Sequence, residues 1–146
     1  MRYVVDRCLG EDLAEKLRGW GKDALFLDND PRFTRTTPDE IWLPLMGEEG
    51  RIVLTGDHRI RRNYAEINAL MENRVGAFLL PEDIKGDARI ALVEPKMRKI
   101  ENISNGRERP FIYILTKNGD LERRDTKKFL KTWREKRRRA GLPDIR

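Results

Sequence analysis

Two short stretches decide the fold, Tyr3-Val4-Val5-Asp6 and Ile52-Val53-Leu54-Thr55-Gly56-Asp57. Each is a run of aromatic, β-branched or aliphatic residues that leads to an aspartate, without alternation of polar and apolar positions. Continuous apolar runs of this length are typical of strands that are buried on both faces, as in a parallel sheet. Residues 24–27 and 77–80 have the same character. We therefore predict four parallel strands in the first part of the chain.

Segments with helical periodicity separate these strands. We predict helices at residues 11–20, 38–46 and 60–71, with Thr37 as the cap of the second, and a loop at residues 29–38. Strands that alternate with helices imply helices on both faces of the sheet. The predicted fold class is therefore α/β, with a three-layer α/β/α arrangement over residues 1–81.

Residues 82–146 have a different pattern, and we interpret them as a C-terminal extension. Residues 86–103 are expected to form two helical pieces divided at Pro95. Two strand-like runs flank Asn118-Gly119, which is the strongest short signal for a β-hairpin. A last helix is predicted from residue 126 to residue 139.

The formal charge of +6 is unevenly distributed, because residues 1–81 carry a balance of −2 and residues 82–146 a balance of +8. A basic extension is typical of proteins that bind phosphates or acidic partners, although a solvated surface would show the same charge. The only cysteine, Cys8, excludes a disulfide within the chain and is predicted to be buried. No apolar stretch is long enough to span a bilayer. We expect a cytoplasmic protein without membrane association.

Carboxylates gather where the predicted strands end. Asp6, Asp28 and Asp57 each follow a strand, and Asp39 opens the helix before the third strand. Carboxylates that converge repel one another unless a cation lies between them, and hard oxygen ligands favour Mg²⁺ or Mn²⁺. We interpret Asp6 and Asp57 as a metal-dependent nuclease site, whereas Asp28, in a polar loop, is interpreted as a turn residue.

Other polar residues lie beside these acids in the sequence. Thr55 is a candidate for orienting a metal-bound water, although a threonine at a strand end is more often structural. The candidates for binding RNA phosphates are four arginines, because a guanidinium group presents a fork that matches phosphate. They are Arg7, Arg59, Arg61 and Arg62. His58 follows Asp57, but metal and carboxylate chemistry does not require it.

Three motifs carry a resemblance to a known family. They are Val4-Val5-Asp6-Arg7-Cys8-Leu9-Gly10, Asp39-Glu40-Ile41-Trp42 and the segment from Ile52 to Arg61. Their order and spacing resemble the PIN-domain nucleases. The chain is most similar to the short PIN-like group found among VapC-type toxins of bacterial toxin–antitoxin pairs.

This resemblance implies a Mg²⁺- or Mn²⁺-dependent endoribonuclease in which Asp6, Asp39 and Asp57 are both catalytic residues and metal ligands. It also implies an RNA substrate and a cognate antitoxin protein, and leaves a homodimer open. The longer PIN domains place a further acid on a helix between the first strand and the Asp39 position. No such helix is predicted here, so Glu40 or Glu66 would have to supply the oxygen.

Two alternatives remain open from the sequence. One is a non-catalytic nucleic-acid-binding or regulatory module that uses the basic extension, with the aspartates acting as helix caps. The other is a phosphoacceptor signalling domain, because that fold also gathers aspartates at strand ends. That class needs a lysine after a later strand, and here the fourth strand is followed by Pro81-Glu82.

Overall fold

The computed structural model describes residues 1–58 and 64–143, with only the backbone of residue 64. One sheet contains all six described strands, in the order β2-β1-β3-β4-β5-β6. Strands β1 to β5 are parallel, and β6 is antiparallel to β5. The strands are β1 (Arg2–Val5), β2 (Asp23–Phe26), β3 (Arg51–Thr55), β4 (Gly76–Leu79), β5 (Phe111–Leu115) and β6 (Leu121–Arg123).

Six α-helices connect or follow these strands in the described part of the chain. They are α1 (Glu11–Gly19), α2 (Asp39–Glu48), α3 (Tyr64–Glu72), α4 (Gly86–Val93), α5 (Met97–Gly106) and α6 (Lys127–Arg139). The predicted α/β fold class is confirmed, and the predicted elements that can be compared fall within a few residues of the observed ones. The predicted start of the third helix, at residues 60–63, lies outside the described residues. No helix among the described residues is both long and apolar enough to cross a membrane.

The sheet has a hydrophobic core on each face, as its continuously apolar strands predicted. Val5 and Leu54 belong to the core beneath α1, α4 and α5. Val4 and Val53, one position earlier in each strand, belong to the core beneath α2, α3 and α6. Successive residues of a strand point to opposite faces, so the middle positions of a strand between two cores are apolar on both sides. Each large side chain buried in this way contributes about 1.5–3 kcal/mol of transfer free energy.

The region after residue 81 contributes β5 to the same sheet. Gly76 of β4 is opposite Phe111 of β5. A Cβ atom at residue 76 would lie 2.4 Å from the Phe111 ring, so only glycine fits beside this phenylalanine. The Phe111 ring also contacts Phe78 and Tyr113 edge-on, at centroid distances of 5.6 and 5.8 Å. Residues predicted as an extension therefore complete the core of the sheet, and the division at residue 81 stays a prediction.

Two helix boundaries test the predictions made from helix-breaking and capping residues. Pro95 lies in a single 3₁₀ turn between α4 and α5, which confirms the predicted break. The prediction that Thr37 caps α2 is wrong. Pro38 occupies that position without a side-chain cap, and the Thr37 hydroxyl instead accepts a hydrogen bond from the Thr34 backbone N–H at 2.8 Å. The threonine stabilises the preceding loop rather than the helix.

Candidate metal centre

Four acidic side chains approach the carboxyl edge of the sheet from four elements. Asp6 follows β1, and Asp57 lies two residues beyond the end of β3. These strands are neighbours, with Val5 paired to Leu54, so both acids lie at the same edge. Asp39 is the first residue of α2, and Glu66 lies in the first turn of α3. Because α2 and α3 pack against each other on one face of the sheet, their first turns bring these two acids together.

Three of these carboxylates form a compact group. Asp39, Asp57 and Glu66 each place one oxygen within 4.8 Å of the other two, and all three residues are half-buried. Oxygens that share one divalent cation at about 2.1–2.5 Å lie up to about 4–5 Å apart. A set of only carboxylate oxygens is also the donor chemistry that Mg²⁺ and Mn²⁺ prefer. The residues present therefore fit a hard divalent ion.

Asp6 lies beside this group but is not one of its three members. Two hydrogen bonds hold its carboxylate. One carboxylate oxygen accepts from the Arg7 backbone N–H at 2.7 Å, and the other accepts from the Thr55 hydroxyl at 2.7 Å. The same hydroxyl accepts from the Asp57 backbone N–H at 3.0 Å. Thr55 is fully buried. It therefore fixes Asp6 relative to the backbone of Asp57, which makes it a positioning residue of the site.

Burial and neighbouring negative charges raise the pKa values of Asp39 and Asp6. Burial raises the pKa of Asp39 to about 6, with further contributions from the negative charges of Asp6, Asp57 and Glu40. A hydrogen bond from the Trp42 indole N–H, at 2.9 Å, opposes this shift. Burial likewise raises the pKa of Asp6, against the hydrogen bonds from Thr55 and Arg7. Acids gathered without a cation are expected to behave in this way.

The raised pKa of Asp39 predicts a pH dependence of stability in metal-free protein. The folded-state pKa of about 6 exceeds the ordinary value of 3.8, so the folded state binds the Asp39 proton more tightly than the unfolded state. Stability then falls as the pH rises from about 4 to about 6 and levels off above that range. Relative to Asp39→Asn, the wild type should lose free energy of unfolding across this window. Urea denaturation at several pH values, in the presence of chelator, measures the difference, and a constant difference would contradict the prediction.

The other predicted site residues lie in different surroundings. Glu40 and Glu66 were both considered as a further ligand. Glu66 lies in the group, whereas Glu40 is exposed. The Arg7 guanidinium lies 3.2 Å from the Asp28 carboxylate and donates to the carbonyl oxygens of Thr34 and Arg35. Arg7 thus holds the loop before α2 in place. The remaining predicted RNA-binding residues, Arg59, Arg61 and Arg62, lie outside the described residues.

His58 and Cys8 are close to the acids without joining the group. The His58 Nε2 atom lies 2.8 Å from the Leu80 carbonyl oxygen, so this ring fastens the end of β4 to the loop after β3. The prediction that Cys8 is buried is wrong, because the residue is exposed. Its sulfur accepts a hydrogen bond from the Gly56 backbone N–H at 3.3 Å. Desolvation of the thiol and the nearby Asp6 charge raise its pKa to about 11, so it is not a thiolate nucleophile near neutral pH.

Trp42 belongs to the hydrophobic core and also contacts the site. Its ring is almost fully buried in the core beneath α2, and its indole N–H donates to Asp39. The sequence did contain a signal for this contact. Asp39 and Trp42 are three residues apart on one helix, which places their side chains on the same face.

A known family matches the part of the chain that holds these acids. The family model described as PIN like domain matches residues 1–82, which is more than half of the 146-residue chain. The curated proteins and the solved structures contain no match to the chain. The matched region includes Asp6, Asp39, Asp57 and Glu66, and the fold is the three-layer α/β/α arrangement expected of such a domain. The chain therefore belongs to the family of PIN-like domains, which places it in a superfamily of nucleases.

Proposed function

We propose that the protein is a metal-dependent endoribonuclease that hydrolyses RNA phosphodiester bonds. The observation that carries this proposal is the convergence of Asp39, Asp57 and Glu66, beside the buried Asp6, at one edge of the sheet in a PIN-like domain. Three carboxylates held this close, with the pKa of Asp39 raised to about 6, are poorly stabilised without a cation. The site is therefore suited to ion binding.

Asp39, Asp57 and Glu66 would hold Mg²⁺ or Mn²⁺, with Asp6 available beside them. A bound ion supplies Lewis acidity, lowering the pKa of a water and stabilising charge on the phosphate. The protein's own residues set the geometry. Thr55 fixes the Asp6 carboxylate, and the Trp42 indole N–H fixes the Asp39 carboxylate. Such supporting hydrogen bonds orient metal ligands and influence the affinity for the ion.

The biological setting that we propose is the toxin of a type II toxin–antitoxin pair in the cytoplasm. Its partners would be the RNA substrate and a cognate antitoxin that covers the acidic edge, and the protein could act as a homodimer. Arg59, Arg61 and Arg62 follow Asp57 in the sequence and are the proposed contacts for substrate phosphates. Arg7 would contribute by holding the loop that precedes Asp39.

An assay of the full chain on RNA and on DNA of the same sequence tests this function. RNA cleavage is expected with Mn²⁺ or Mg²⁺, is expected to stop with chelator, and should return when excess ion is added. DNA should be cleaved much more slowly. RNA that is bound but never cut in any divalent ion would favour the alternative, a non-catalytic binding module that uses the basic region after residue 81.

The same assay identifies the further acid of the site. Glu66→Gln is expected to lower cleavage by at least about tenfold, because it removes one charged oxygen from the proposed ligand set. Glu40→Gln, a matched change at an exposed glutamate, is expected to leave most of the activity. The opposite ranking of the two variants would remove Glu66 from the site.

The Trp42 contact gives a prediction for a residue that does not touch substrate. Trp42→Phe keeps an aromatic ring in the core but removes the donor to Asp39, and cleavage should fall by roughly tenfold through a lower affinity for the ion. Excess Mn²⁺ should restore part of the rate. Trp133→Phe is the matched control, because the buried Trp133 indole N–H has no hydrogen-bond acceptor among the described residues. Equal losses in both variants would mean that Trp42 acts only through packing.

A further inference from the structure

Three arginines lie at the amino edge of the sheet, opposite the acidic group. Arg74 lies two residues before β4, and Arg107 and Arg109 lie just before β5. Asp6 and Asp57 follow the parallel strands β1 and β3, so the two sets of residues are at opposite ends of the strands. Strands of four or five residues separate the two edges by about 15 Å.

Three adjoining clefts connect these arginines. Their volumes are about 570, 520 and 250 Å³. Arg107 lines the first and the second cleft, and Arg74 and Arg109 line the second and the third. Each of the three residues thus borders two clefts. Arg74, Arg107 and Arg109 together form one continuous arginine surface.

The charges of the arginine surface are not neutralised within the described part of the chain. None of its three residues forms an ion pair there, whereas Arg51 and Arg123 each pair with carboxylates. The Arg107 guanidinium lies over the Tyr113 ring at 5.5 Å, and the Arg109 guanidinium lies 3.7 Å from the sulfur of Met1. Six basic and three acidic side chains line the three clefts, so the surface carries an excess of positive charge.

We propose that the arginine surface binds the phosphate backbone of RNA at a second place, remote from the acidic group. This inference rests on the proposed function, because the RNA in question is the substrate. Guanidinium forks match phosphate oxygens, and asparagine side chains in the same clefts can bind sugar hydroxyls. The core of a protein–protein interface is more apolar than these open, charged clefts, which favours a polyanion over a folded protein partner.

A long RNA would then be held at both edges of the sheet, and a short one only at the acids. The length of the substrate therefore decides whether the arginine surface contributes to its binding. Substrates of about four nucleotides should be cleaved independently of it, whereas those of about twenty nucleotides should depend on it through KM.

Binding of a single-stranded RNA of about twenty nucleotides, in chelator so that nothing is cut, tests the surface directly. The triple variant Arg74→Gln, Arg107→Gln, Arg109→Gln should bind at least about tenfold more weakly, and the slope of log affinity against log salt should shrink by about 2. The control triple variant removes three charges from exposed residues that border none of the clefts: Lys16→Gln, Lys85→Gln, Arg98→Gln. It should show a clearly smaller loss.

Equal losses in the two triple variants would overturn the proposal, since they would reflect net charge alone. Unchanged RNA binding combined with lost binding of a polyglutamate peptide would also overturn it, in favour of an acidic protein partner. If the arginine triple variant does not fold, the exposed Arg74→Gln alone should still lower affinity and salt slope. Absence of cleavage on any substrate would contradict the proposed function while leaving these binding results interpretable.

Discussion

Asp57→Asn is expected to lower metal-dependent RNA cleavage by about a hundredfold or more while the protein keeps its fold. The substitution preserves the size of the side chain but replaces a charged oxygen that lies within 4.8 Å of ligand atoms of Asp39 and Glu66. Loss of one negative charge also relieves repulsion among the carboxylates, so the metal-free variant should be at least as stable as the wild type. Initial rates with Mn²⁺ and thermal unfolding in chelator measure the two effects.

Asp28→Asn is the matched control for that experiment. Asp28 also follows a strand at the carboxyl edge, but its carboxylate pairs with Arg7 instead of joining the acidic group. The control should keep most of its activity. If both variants lose activity equally, or if Asp57→Asn remains fully active, the acidic group is not the centre of the reaction.

Phe111→Ala is expected to lower the free energy of unfolding by about 4 kcal/mol, close to the upper range for a core substitution. The Phe111 side chain is fully buried and is in contact with Phe78, Tyr113 and the backbone of Gly76. Its loss leaves a cavity at the centre of the sheet, between β4 and β5. Urea denaturation followed by tryptophan fluorescence and by circular dichroism measures the change.

A second phenylalanine outside the matched family region provides the comparison. Phe129 of α6 is only half-buried, so Phe129→Ala should cost roughly 1–2 kcal/mol. Both variants should unfold in a single transition, because β5 belongs to the same core as β1 to β4. If Phe111→Ala unfolds only the region after residue 81 and leaves the rest intact, the two parts of the chain are independent units.

The strands and the two first acids could be predicted because their signals are local. Apolar runs at residues 3–5 and 52–54 are continuous. Asp6 follows the first run directly, and Asp57 follows the second after Thr55 and Gly56. Pairing of parallel neighbours then brings the acids to one edge without further information. The pairing of β5 with β4 could not be predicted from local signals. An Asn-Gly turn indicates a hairpin, but not the sheet that the hairpin joins, since the pairing of β4 with β5 spans two intervening helices.

The choice between Glu40 and Glu66 depends on tertiary packing that the sequence does not contain. Both acids lie in the first turn of a helix near the site, yet Glu66 joins the acidic group and Glu40 is exposed. The burial of residues in the basic last helix also depends on tertiary packing. Arg137 contributes to the positive charge of the region after residue 81, yet it is buried and paired with Glu72 of α3. Cys8 is exposed and lies in the 3₁₀ turn that follows β1, and a single turn has little sequence signature.

Direct titration with Mn²⁺ tests whether the acidic group holds a divalent ion, without any assumption about substrate. The electron paramagnetic resonance signal of free Mn²⁺ gives the bound fraction. Wild-type protein should bind Mn²⁺ and release it to Mg²⁺, and Asp57→Asn should bind at least about tenfold more weakly. Wild-type protein that binds no Mn²⁺, or an Asp57→Asn variant that binds it as tightly as the wild type, would contradict the account.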